Sequence, residues 1–133
     1  MLRSVFTGAL AGAAVAVCCA APAVAEISGY VDRAEWASYD DGLSLRVYPS
    51  ASARAAALRL DAAAGEQAWR EVLQHAPEAD RPGMREQFLC HWNYAEFARP
   101  GKLSWNLEPW RPVVDWVTML ESGCNPGAAE EVF

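Results

Sequence analysis

Residues 106–112, Asn-Leu-Glu-Pro-Trp-Arg-Pro, gather several side chains suited to recognition into one short segment. Trp and Arg are types enriched at binding hot spots. Arg111 beside Trp110 can clamp a ligand carboxylate or phosphate through paired N–H donors, or it can pair with Glu108 and serve the fold. Pro109 and Pro112 restrict the backbone and lower the entropy of the free segment, so either role is pre-organised. A second group, His91, Asn93, Asn106 and Glu108, comes together if residues 88–97 and 103–108 are paired antiparallel strands. On that shared face His91 and Glu108 form a candidate general acid–base pair. The plainer alternative is a solvated cross-strand polar ladder. Cys90 next to His91 does not make a nucleophile and its base, because neighbours on a strand point to opposite faces. No nucleophile elbow, phosphate-binding loop or metal-ligand spacing occurs in the sequence, so neither a cofactor nor a metal is expected.

The elements that must position these residues follow from hydrophobic periodicity. Residues 31–39 form a first strand and Asp40-Asp41-Gly42 a hairpin turn. Leu43, Leu45 and Val47 alternate with Ser44 and Arg46 in a second, half-buried strand that Pro49 ends. Residues 50–60 are an Ala-rich loop or weak helix. Asp61 caps a helix over 61–76, where Trp69, Val72, Leu73 and Ala76 make one apolar stripe. Asp80 and Pro82 start a single turn carrying Met84. The period then switches to two: Phe88, Cys90, Trp92 and Tyr94 share one face, and Leu89, His91, Asn93 and Ala95 the other. A turn at 99–102 leads into Leu103, Trp105 and Leu107, alternating with Ser104, Asn106 and Glu108. Val113, Trp116, Val117 and Leu120 mark a last helix over 113–122, ended by Gly123. The expected fold is α+β: an antiparallel sheet of two β-hairpins packed by two helices and closed by one disulfide.

The first residues stand apart from this pattern. Arg3 is a short positive start, residues 5–17 are apolar, and Ala23-Val24-Ala25 fits a small-x-small cleavage site. Residues 1–25 are therefore an expected export signal, and 26–133 a single secreted domain. The rival, a membrane anchor, is disfavoured by the Ala-rich composition, by Pro22 and by the lack of a basic flank. Lipidation at Cys18 or Cys19 is disfavoured by the residues before them, Val17 and Cys18. Removing Arg3 from the 11 basic residues leaves 10 against 17 acidic ones, a net charge of −7. So acidic a domain repels nucleic acid and anionic lipid. Cys90 and Cys124 remain after cleavage. An even pair in a small exported domain is expected to be bonded.

Three blocks carry a family resemblance: Gly83-Met84-Arg85-Glu86-Gln87-Phe88-Leu89-Cys90-His91, then Trp105-Asn106-Leu107-Glu108-Pro109-Trp110-Arg111-Pro112, then Gly123-Cys124-Asn125-Pro126-Gly127. Together they resemble the domain-of-unknown-function family 2599, small exported proteins of Gram-positive bacteria. Asp41-Gly42-Leu43-Ser44-Leu45 and Ala68-Trp69 resemble weaker upstream blocks, so the likeness spans residues 30–127. It implies export and a Cys90–Cys124 pairing. It brings no activity.

With no nucleophile or metal motif present, the residues point to a secreted, non-catalytic binding or interaction module using Trp110, Arg111, Asn106 and Asn93. The alternative is a small secreted hydrolase or toxin-like enzyme using His91 and Glu108. The partner is an extracellular ligand or protein rather than nucleic acid, with no stable membrane anchor after cleavage. Secreted material should begin at Glu26. Intact-mass measurement checks this, and a mass retaining residues 1–25 or a lipid adduct on Cys18 or Cys19 contradicts it.

Overall fold

The structure is a computed structural model that describes residues 29–128 and, before them, only residues 8, 12, 13 and 15–17. The expected export signal and its cleavage site therefore lie almost wholly outside the described residues. Among those described, no helix is long and apolar enough to cross a membrane.

Strand β1 (Val31–Tyr39) and strand β2 (Gly42–Pro49) form the expected hairpin, paired from Tyr39↔Gly42 back to Val31↔Pro49. The turn needs a backbone that L side chains rarely adopt, which Gly42 supplies at φ +132°. Leu45 and Val47 are fully buried, as the alternation requires, whereas Leu43, next to the turn, is exposed and Ser44 is buried, against the expected pattern. Residues 51–58 resolve into helix α1 (Ala51–Leu58), with the Ser50 hydroxyl accepting from the Ala53 N–H at 3.1 Å, a standard N-cap. Its small Ala53, Ala56 and Ala57 are buried, so this helix lies close against its neighbours. Helix α2 (Ala62–His75) starts at the predicted cap, Asp61 accepting from the Ala64 N–H at 3.0 Å. It buries Ala68, Trp69 and Val72, while Leu73 is only half-buried. Glu71 of α2 accepts from the Tyr30 and Val31 N–H groups at 2.6 and 3.0 Å, tying the start of β1 to the helix layer.

The second hairpin does not form. Residues 84–98 are helix α3 (Met84–Ala98), entered through Gly83 at φ +83°. The period-two pattern has a helical explanation. Phe88 and Trp92 are one turn apart and face the sheet, whereas Cys90 points the other way and is buried against Met119 and Cys124. Tyr94, the fourth member of the supposed strand face, is exposed. A helix buried on two opposite sides places apolar residues at alternate positions and mimics a strand. Strand β3 is short (Trp105–Leu107) and pairs with β2 instead, in the register Leu45↔Leu107 and Val47↔Trp105. The sheet order is β1-β2-β3, antiparallel, with β2 in the middle.

Phe88 is the hub of the core, its ring centroid 5.6 Å from Trp69, 6.0 Å from Trp105 and 6.3 Å from Trp92. Helix α4 (Trp116–Glu121) is shorter than the predicted 113–122. Asp115 caps it, accepting from the Thr118 N–H at 2.8 Å. That hydrogen bond favours the charged form and holds the Asp115 carboxyl below its ordinary range. Only Met119 of α4 is buried, while Val113, Trp116, Val117 and Leu120 are exposed. The predicted stripe exists but faces outward, because α4 is anchored through Met119 and the Cys90–Cys124 disulfide rather than through that stripe. Among the described residues the fold is thus α+β, a three-stranded antiparallel sheet with four α-helices and one disulfide, in place of two hairpins and two helices.

Phe88→Ala should lower stability by about 3–5 kcal/mol, and Tyr94→Ala by less than about 1 kcal/mol. Denaturant unfolding measures both. Equal losses at the two positions would restore the strand description of residues 88–94.

Candidate functional site

Glu108 and Arg111 are both buried, at 4 % exposure each. Arg111 Nε donates to Glu108 Oε2 at 2.6 Å, and Ser44 Oγ donates to Glu108 Oε1 at 2.8 Å. Both carboxylate oxygens are therefore engaged. Arg111 Nη1 donates to the carbonyls of Pro126 and Ala128 at 3.2 and 2.6 Å, and the guanidinium sits 4.6 Å from the Trp110 ring centroid. The backbone of Glu108 is held as well. Its N–H donates to Gln87 Oε1 and its carbonyl accepts from Gln87 Nε2, both at 2.9 Å. Trp110 lies on the β1–β2 turn, so close that a Cβ on Gly42 would stand 2.7 Å from its Cδ1. The rigid segment 106–112 thus joins α3, β2, the hairpin turn and the C-terminal residues. Arg111 takes the Glu108 pairing, one of the two roles open to it from sequence, and presents no fork to an outside ligand.

The other candidates separate. Asn106 is 1 % exposed, with its Oδ1 accepting from Ser104 Oγ at 2.8 Å. His91 and Asn93 lie on helix α3, whereas the strand meant to pair with their segment pairs with β2. His91 is buried, and its Nδ1–H donates to the Gln87 carbonyl at 2.8 Å. A carbonyl can only accept, so this partner fixes which ring nitrogen carries the proton. The shared face of His91, Asn93, Asn106 and Glu108 required the second hairpin and is lost with it.

His91 opens instead onto a cleft of about 280 Å3 between the C-terminal half of α3 and the end of α4. Tyr94, Ala98, Arg99, Lys102 and Leu120 also line it. Its position follows from the disulfide, Cα–Cα 5.5 Å, which holds the end of α4 against α3. Gly123 and Cys124 turn the chain there with φ of +59° and +68°, the left-handed backbone that commonly ends a helix. The Cys124 N–H donates to the Met119 carbonyl at 3.0 Å. The 99–102 turn on the opposite rim is fastened by Arg54 of α1. That side chain pairs with Glu96 and donates to the Lys102 carbonyl at 2.6 Å. Beside the cleft, Tyr94 stands 6.5 Å from Trp116, centroid to centroid, and the exposed Val117 continues the apolar surface. Sequence reasoning missed Tyr94, Arg99, Lys102 and Leu120 as a group. Their one sequence signal was a pair of cations flanking Pro100-Gly101 in an acidic chain.

Residues 31–127 match the family model described as "Protein of unknown function (DUF2599)". Uncharacterized proteins of Mycobacterium tuberculosis and Mycobacterium bovis are each 62% identical to the chain over 103 residues, covering 77% of this chain and 70% of theirs. An uncharacterized protein of Mycobacterium leprae is 43% identical over 103 residues, covering 77% of this chain and 84% of its own. No solved structure matches.

Arg111→Ala should destabilise the protein by about 3–5 kcal/mol, because it leaves the Glu108 carboxylate buried without its cation. The paired change Arg111→Met with Glu108→Leu should recover part of that loss. Thermal melts of the three variants check it; an Arg111→Ala melt equal to that of the parent protein would mean the pair does not hold the fold.

Proposed function

We propose that this chain, which belongs to the DUF2599 family of proteins of unknown function, is an exported, non-catalytic binding module whose site is the cleft between α3 and α4. One observation carries the reading. The apolar residues Trp116, Val117 and Leu120 of α4 are left exposed beside a concave opening, although a domain of this size has every reason to bury them. Ligand sites are concave and mostly apolar, with a few polar groups for orientation. The cleft has that make-up, with His91, Arg99 and Lys102 among aliphatic and aromatic walls. Export is supported by the Ala23-Val24-Ala25 site and by a disulfide, a bond suited to an oxidising compartment. The hydrolase alternative draws little from the geometry, since Glu108 is engaged by Ser44 and Arg111 while His91 lines the cleft.

A neutral cosolvent tests the reading without knowledge of the ligand. In amide and side-chain NMR spectra, isopropanol should perturb Tyr94, Ala98, Trp116 and Leu120 first, and in a saturable way. Perturbation centred on Trp110, or spread evenly over the surface, would overturn the assignment of the site.

A further inference from the structure

We infer that the Cys90–Cys124 disulfide is a redox latch on the α3–α4 cleft: its reduction by a dithiol frees residues 113–125, which form one wall of the cleft, while the main core stays folded. The inference rests on the cleft being the binding site and adds the regulation of that site. The first argument is where the bond acts. Cys90, Met119 and Cys124 make a small buried cluster of their own, with Val114 packed on it, and among the described residues the main core holds none beyond Leu107. Met119 and Cys124 are the two buried residues of 113–125. Among the described residues, every hydrogen bond of that segment stays within it, from the Asp115 cap to the Asn125 side chain on the Gly123 carbonyl. A segment with so little buried surface belongs to the low-stability end of a fold, and the disulfide is what fastens it to α3.

The second argument is that the base of the segment is closed without the bond. Arg111 Nη1 holds the Pro126 and Ala128 carbonyls, and Pro126 is fully buried. Pro112 lies so near Gly127 that a Cβ there would stand 2.8 Å from its Cδ. Residues 113–125 are thus a flap hinged at the Glu108–Arg111 pair and latched at Cys124. Cys124 sits at φ +68°, a left-handed backbone shared among the described non-glycine residues only by Leu60. That conformation is strained for a residue with a Cβ, and breaking the bond lets it relax. Leu120, Gly123, Cys124 and Asn125 leave the cleft with the flap. Reduction starts at Cys124, which lines the cleft, whereas Cys90 is wholly buried. One thiolate of the dithiol bonds to the Cys124 sulfur, and the electron pair of the S–S bond leaves on Cys90, which takes up a proton. The second thiolate attacks the reductant's own sulfur in the mixed disulfide and releases Cys124, which is protonated in turn. The protein disulfide gains two electrons and two protons, and the dithiol loses them as it closes to its own disulfide.

The experiment adds dithiothreitol to the exported, disulfide-bonded protein and reads amide hydrogen exchange by NMR. The Met119 and Cys124 amides donate to the Asp115 and Met119 carbonyls. Their protection should fall by about tenfold or more on reduction, while that of Phe88 and of β2 stays within about twofold. Saturable isopropanol shifts at Tyr94 and Ala98 should vanish on reduction and return on reoxidation. The double change Cys90→Ala with Cys124→Ala should show the reduced pattern without reductant and should not respond to dithiothreitol. Loss of protection throughout the fold overturns the proposal, because the bond then staples the whole domain. Undiminished protection at Met119 and Cys124 in the reduced protein also overturns it, as does a folded protein that dithiothreitol leaves oxidised. Isopropanol that never saturates at the cleft of the oxidised protein sinks the site reading instead, since exchange scores the latch with no ligand present.

Discussion

A carboxylate buried beneath the sheet edge has to be answered by a cation, and that requirement organises one side of this molecule. Glu108 is out of water, so its charge is tolerable only with Arg111 and the Ser44 hydroxyl on its two oxygens. Arg111 in turn must fill its remaining donors. It does so with the Pro126 and Ala128 carbonyls, which fixes the chain after α4. Gln87 closes the arrangement from α3 by pairing with the Glu108 peptide. Four distant parts of the chain therefore meet at one ion pair. The prolines on either side hold the backbone in the shape this meeting needs.

Fixing Gln87 against Glu108 also sets the rotation of α3. With Gln87 turned toward β3 and its following segment, Phe88 and Trp92 face the aromatic core, and Cys90 faces α4. His91, one turn on from Gln87 and bonded to its carbonyl, then opens on the cleft. The cleft is thus placed by the same helix rotation that builds the core, although no buried residue among those described lines it apart from Cys124 and His91.

The parts of the sequence with one buried face are legible. The β1–β2 hairpin shows a clean alternation around an Asp-Gly turn, and α2 shows a cap at Asp61 followed by Trp69 and Val72 one turn apart. The parts buried on two faces are not. Residues 88–94 carry apolar side chains toward both the main core and the disulfide cluster, and the summed pattern has the period of a strand. Aromatic residues, common in strands, reinforce the misreading. Residues 106–112 stand out in the sequence, which admits both fates of Arg111. Choosing between them needs the partners Ser44, Gln87 and Pro126, which lie far off in sequence. The cleft is invisible for the same reason. It joins the end of one helix to the end of another, and only the disulfide and the correct identity of α3 bring them together.

Helix α4 shows how the chain can sustain an outward apolar stripe. Its six residues are too few to be stable as an isolated helix. Met119 is the single side chain of the helix that is buried. What remains is covalent and local: the Asp115 cap, the left-handed turn at Gly123 and Cys124, and the bond to Cys90. Closing 34 residues of chain with a disulfide stabilises by about 4 kcal/mol in the chain-entropy account. That is enough to hold a short helix without the burial of Trp116, Val117 and Leu120. In most small domains the hydrophobic effect both forms such a helix and consumes its apolar face. Here the crosslink takes over the first task, and the face stays exposed beside the cleft.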